Sequence, residues 1–410
     1  MFVSTSCKVM RKANLLLKSS ANCSYLLRRF KSKIHCVDTW TIPIRSNGFA
    51  VVNTHFTTYI KPLDPLEYIE KPEIWPHKLD DGTQASARVS LNLRLPEESD
   101  LKIDETFVDE FTKDIRYNPQ LNIESQRYFL VVKGRPQRRF TFPPEDISLV
   151  LEVPTQFNIQ VNASDNADVH VENLEGGWLY EVTTDQGSCY LSKLKGQDLH
   201  VLSSHGNIIS KSNLVAEFGT LAVENNGKIC VNKLQGRKFC LDSEVGTIST
   251  GALYLQRGEV KSESGNISLG DIHGIIDVNQ GKGDISIGSV SGDLLAVANE
   301  GNLNLHLSQP NNIKLKAKQG GNITVSMNKE TQSTAIHVKA KDINIDPVMN
   351  KSVENKDEGE NFTVLSAVVN GTVTDDILGG HRNTINIEAK HGAFKLETQD
   401  WLSSLNLKNI

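Results

Sequence analysis

Apolar and polar positions recur in a fixed order every 18 to 21 residues between Gln186 and Val325. Each unit opens with Gly, a polar residue, Ile or Leu, then a small residue. The copies begin at Gly206, Gly227, Gly246, Gly265, Gly283, Gly301 and Gly321, with weaker ones at Gly187 and Gly392. Between them lies a second half-motif, an apolar residue, any residue, then Gly, as at Leu174, Leu194, Leu234, Ile272 and Val290. Short alternating runs follow most of these, among them Leu199-His200-Val201 and Ile276-Asp277-Val278. Period-two alternation turns one set of side chains inward. Ile208, Ile229, Ile248, Ile267, Ile285, Leu303 and Ile323 are therefore expected to stack as one apolar ladder. Val231, Leu269, Ile287, Leu305 and Val325 form the next, with Ser249, Ser268, Ser286, Asn304 and Thr324 facing water. One unit cannot bury its own apolar face, so stacking has to make the core. The pattern predicts an all-β chain: a parallel β-solenoid of about 19-residue coils, with two short strands per coil and a flattened cross-section. The turn residues Asn207, Asn266, Asn302 and Asn322 are placed to form an amide ladder.

The period fails outside this region. Residues 38–165 read as irregular β structure capping the first coil, with strands at Ala87–Leu95, Phe129–Val132 and Ile147–Val153. Residues 166–345 are the solenoid, and 346–361 a charged, mobile loop. Residues 362–410 hold a last pair of strands and a cap built on Trp401 and the leucines after it.

Charge separates the N-terminus from the rest. Residues 1–37 carry eight basic side chains and no acid, so a total of −5 leaves −13 for the remaining chain. That acidic body argues against nucleic acid as a partner. The basic, Ser- and Leu-rich segment reads as a mitochondrial transit peptide, with processing near Phe30. A secretory signal is the rival reading, but Leu15-Leu16-Leu17 is cut short by Lys18. No stretch approaches the roughly 18 apolar residues of a spanning helix. Asn162, Asn266, Asn322, Asn361 and Asn370 begin Asn-x-Ser/Thr sequons, which matter only on the secretory route.

Candidate chemistry is sparse. Asp271, Asp277, Asp284 and Asp293 crowd into two coils, and paired carboxylates suit glycoside hydrolysis; Asp is equally an ordinary turn residue. Gly281-Lys282-Gly283-Asp284 is a single partial calcium-repeat match. His200 and Cys240 fall at like positions two coils apart, with Ala222 between them, too distant for one metal. Gly187-Ser188-Cys189 reads as a turn with a buried thiol. Cys36, Cys189, Cys230 and Cys240 lack zinc-ligand spacing, and Lys133 to Arg139 is a basic loop. No catalytic, cofactor-binding or metal residue is assigned, and no cofactor is implied.

Taken together, the Gly-Asn-Ile-Ser coils resemble the "putative adhesin" domain of unknown function found in bacteria and animals. The segment from Lys61 to Tyr68, the Leu174-Glu175-Gly176 and Leu194-to-Val201 stretches, and the tail from Trp401 to Leu407 are similar to an animal branch of it, family with sequence similarity 185. The resemblance implies a β-solenoid and, for the animal branch, a mitochondrial association; it implies no reaction. The expectation is a non-catalytic binding or scaffold protein of the mitochondrion, in the matrix or at the inner membrane, with a protein partner. The alternative is a carbohydrate-active or adhesive β-solenoid.

Overall fold

The computed structural model of the protein describes residues 32–64, 85–97, 99, 101–124, 127–136, 142–328, 334–347, 351–359, 362–369 and 383–398. Most of the transit segment, the stretch from Pro65 to Tyr68, Arg138 and Arg139 of the basic loop, and the Trp401 cap lie outside these residues.

The repeats form a parallel β-solenoid. Its middle is a stack of long bent strands, β13 (Ile208–Asn226), β14 (Ile229–Val245), β15 (Ile248–Ser264), β16 (Ile267–Lys282), β17 (Ile285–Glu300) and β18 (Leu303–Ala317). Each pairs in parallel with the next, residue over residue. Every coil has three parts. In β16 the first face is Ile267-Ser268-Leu269, a bridging run is Asp271-Ile272-His273, and the second face is Ile276–Gln280. The two expected strands are thus joined by a third run with its own inward residue. Leu194, Leu214, Leu234, Leu253, Ile272, Val290 and Leu307 make that bridging ladder, and all are buried. The Ile208-to-Ile323 ladder forms as expected, also fully buried.

Stacked turns explain the repeated glycine. Gly265 has φ +135°, and a Cβ there would sit 2.0 Å from the Gly246 carbonyl oxygen of the previous coil. Only Gly permits both the conformation and the approach. The second face uses size alternation: Gly219, Phe239 and Gly258 are consecutive rungs, and the Phe239 ring fills the place of a Cβ at Gly219.

The capping region is more regular than expected. β2 (Phe49–Thr54) and β3 (Thr57–Pro62) form a coil in the same two-face geometry. It lies between β6 (Arg127–Gly134) with β7 (Ile147–Val153) on one side and β8 (Asn158–Ala163) with β9 (Val169–Glu172) on the other, all in parallel. The solenoid therefore begins well before residue 166, and an early segment is inserted between two later ones. β10 (Glu175–Thr184), β11 (Cys189–Ser192) and β12 (Leu194–Ser203) carry both faces on from β8 and β9 into β13. Antiparallel strands finish this end: β1 (Ser32–Pro43) on β4 (Ser86–Pro96), β4 on β7, and β5 (Asn118–Glu124) on β6. Helix α1 (Glu105–Asp114), which the strand reading did not anticipate, packs Phe107 and Phe111 against Phe142.

The boundary at residue 37 shifts as well. Ser32 to Cys36 pair with Pro96 to Asn92, and Val37 is buried. These residues belong to the folded body, because their backbone groups complete the edge of β4.

At the other end, β19 (Ile323–Met327) and the second-face part of β18 are both followed by β23 (Asn383–Thr398), the last described strand in sequence. β20 (Thr334–Ile345) stacks outside it. β22 (Thr363–Val369) and β21 (Lys351–Glu358) then add in antiparallel order. The expected last pair of strands is therefore split by β20, and part of the segment read as a mobile loop is strand β21.

Candidate functional site

The turn column is the most regular polar feature. Asn207 Oδ1 accepts the Lys228 amide at 3.0 Å, and Asn266 Oδ1 accepts that of Asp284 at 3.0 Å. Asp284 Oδ1 then accepts from Asn302 N at 2.8 Å and from its side-chain amide at 3.1 Å. Asn302 serves Asn322, and Asn322 serves Ala393. The expected ladder forms from Asn266 to Asn322, with Asp284 as a rung of it, while Asn207 stands apart, separated by Lys228 and Thr247.

That assignment disperses the carboxylates. Asp277 stands on the second face and pairs with Arg257 at 3.4 Å. Asp293 Oδ1 accepts the Asn312 amide at 3.2 Å. Asp271 lies on the bridging run beside Ser289 of the next coil. No two of the four share a column. His200 and Cys240 do share one, but Thr220 separates them, not Ala222; the register runs His200, Thr220, Cys240. Among the described residues no group of three His, Cys, Asp or Glu could hold a metal. Cys189 takes the Ile slot between Val169 and Ile208; burial pushes its thiol up to about 12, so it is a neutral core residue at physiological pH.

The outer surfaces hold what chemistry remains. On the first face Tyr59, His170 and Tyr190 stack at 4.5 Å between centroids. Burial lowers the His170 pKa, against the pull of Asp168 and Glu172. His170 is covered on both sides, while Tyr59 is 36% exposed. The bridging run and its corner with the second face expose more apolar surface. Trp178 is 69% exposed, Ile275 47%, Tyr254 39% and Phe218 36%. Arg237 lies 5.5 Å from the Phe218 centroid and pairs with Glu217 at 3.3 Å. Lys233 lies 4.7 Å from the Tyr254 centroid, and His273 stacks on the same ring.

At one end of this surface is an open groove of about 680 Å³, lined by Gln156, Glu175, Trp178, Lys195, Gln197 and Glu217 over the backbone of Gly176, Gly177 and Gly196. Its floor must be glycine because Tyr180 lies directly beneath: a Cβ on Gly177 would come within 2.6 Å of that ring, and on Gly196 within 2.7 Å. The Tyr180 hydroxyl accepts from Gly177 N at 3.1 Å and donates to the Lys195 carbonyl at 3.3 Å. Sequence reasoning passed over Trp178. Its signal was a large aromatic at an outward position directly after Gly176-Gly177.

The fold is thus that of a β-solenoid with exposed aromatic and charged side chains on its bridging run and the corner beside it. The model of the Toastrack DUF4097 family matches residues 215–374. Among solved structures, the chain is similar to a "putative adhesin" from Parabacteroides merdae, at 14% identity, TM-score 0.27, covering 72% of this chain and 93% of that one. It is also similar to a "putative cell adhesion protein" from Clostridium sporogenes, at 9% identity and TM-score 0.16, covering 88% and 99%. TM-scores this low carry no argument about the site.

Proposed function

We propose that the chain is a non-catalytic binding or scaffold protein that offers the bridging face of its solenoid to a partner. The observation that carries this is the exposure of Trp178, Phe218, Tyr254 and Ile275, spread over three neighbouring columns on the bridging run and at its corner with the second face, near Arg237, Lys233 and Arg257. Aromatic residues and arginine dominate the energetics of recognition surfaces, and stacked repeats build continuous surfaces for partners. The reading includes no reaction: Asp284 is used by the turn ladder and Asp277 by Arg257.

Two settings accommodate it. An adhesive one takes its motive from the descriptions of the similar solved structures. A mitochondrial one, together with membership of the animal branch of the family, rests on the basic, acid-free N-terminal segment and on the non-repeating stretches. Proximity labelling with the labelling enzyme fused after Ile410 decides between them and tests the face. The expected result is a defined set of neighbours, reduced when Trp178, Phe218 and Tyr254 are all changed to Ser. Secretory or surface neighbours favour adhesion, and matrix or inner-membrane neighbours favour the scaffold. An identical set for the triple variant would sink the proposal.

A further inference from the structure

Resting on that reading, we infer that the Trp178 groove is a binding site for a neutral glycan. Trp178 is held out as a platform. Its backbone amide and that of Leu179 both donate to Asn158 Oδ1, at 2.7 and 3.0 Å. Asn158 is itself buried and donates to the Gly48 carbonyl at 3.0 Å. A buried amide thus fixes the strand that carries the most exposed large apolar side chain described. A single exposed aromatic is ordinary on a protein surface; one fixed from below and set at the wall of a groove is a built feature.

The lining matches a sugar. The apolar C–H face of a pyranose packs on an indole ring, and its hydroxyls need donors and acceptors on the flanks. Gln156 and Gln197 supply both, and neither amide is engaged by another described side chain. Glu175 pairs with Lys195, and Glu217 with Arg237, so the charges largely cancel and the groove suits an uncharged polyol better than an ion. The floor of Gly177 and Gly196 carries no side chains to keep a ring away. The rungs Trp178, Gln197 and Glu217 lie on successive coils. Two steps of about 4.8 Å leave room for roughly two pyranose rings along the axis.

The test is binding of the full chain to immobilised neutral di- to tetrasaccharides, with Trp178→Ala, Trp178→Tyr and Val245→Ala as variants and thermal melting as the check on folding. Trp178 is exposed, so melting should stay unchanged. Trp178→Ala should weaken binding by at least about tenfold, while Trp178→Tyr stays within about threefold because an aromatic face is kept. Val245→Ala, exposed but away from the groove and from the bridging run, should bind as the parent does. Binding that survives Trp178→Ala, or is lost equally with Val245→Ala, would overturn the site while leaving an adhesive role standing. A folded protein that binds none of the saccharides would overturn the ligand class, and the labelling experiment would then judge the wider reading independently.

Discussion

At the scale of single residues, stability depends on ladders in which every rung is buried. Ile267 is fully enclosed, with Ile248 and Ile285 on either side. Ile267→Asp places a carboxylate where no partner exists and should cost several kcal/mol, read as a fall in denaturant midpoint; an unchanged midpoint would contradict the register. Glu152 shows the opposite arrangement. Burial raises its pKa, but Arg88 and Lys61 outweigh that and hold the carboxyl below its ordinary range. It thereby ties β4, β7 and β3 together. A depressed carboxylate contributes stability above the unfolded pKa, and the contribution is lost as pH falls through the folded one. Glu152→Leu should therefore destabilise the protein by about 3 kcal/mol at neutral pH and flatten its acid limb, measured by urea melts across pH 3 to 7. Cys189 titrates the other way. The unfolded thiol ionises near its ordinary 9 while the folded one waits until about 12. The unfolded state holds fewer protons in that window, so stability falls as pH rises through it. Cys189→Val should remove that decline, and Cys189 should resist thiol reagents until the chain unfolds.

At the scale of elements, the alternating first-face ladder, the Gly-centred turns and the Asn column were all legible, because each is a local pattern repeated until it stands out. The strands β4, β6 and β7 were legible for the same reason. Helix α1 was missed although Phe107, Phe111 and Ile115 recur at four-residue spacing behind the capping Asp104; the prevailing strand pattern hid a single short helix. Stack order was not legible, since β2 with β3 and β23 carry nothing in their own residues that says which coils they sit between. The groove was half legible: Leu174 and Gly176 were read as a turn motif, while Trp178 acquires meaning only once Asn158 is seen beneath it. The redrawn N-terminal boundary gives a direct test. A chain beginning at Asp38 loses the Ser32-to-Cys36 pairing with β4 and should melt several degrees below one beginning at Ser32.

At the scale of the whole molecule, the two settings make opposite chemical predictions at sites already in view. Asn162, Asn266 and Asn322 lie in sequons and are exposed. Passage through the secretory route should glycosylate at least one, seen as a mobility shift that glycosidase reverses; a mitochondrial protein should show none, and processing near Phe30 instead. No described helix is long and apolar enough to cross a membrane.

The out-of-order coils at the two ends bear on how the molecule is made. His55 reaches a partner, Asp165, that lies 110 residues further along the chain. As a ribosome delivers the polypeptide, β2 and β3 must therefore wait, unsheathed, until β8 and β9 emerge. The strand that fits between β18–β19 and β20 is synthesised after all the other described strands. A prematurely ended product would keep its inner coils and still lack the piece that seals them. Because each inner coil touches only its neighbours, a lineage could gain or lose one without disturbing either fastening. The solenoid can change length over generations, but no single copy can be sealed until its last described strand has been translated.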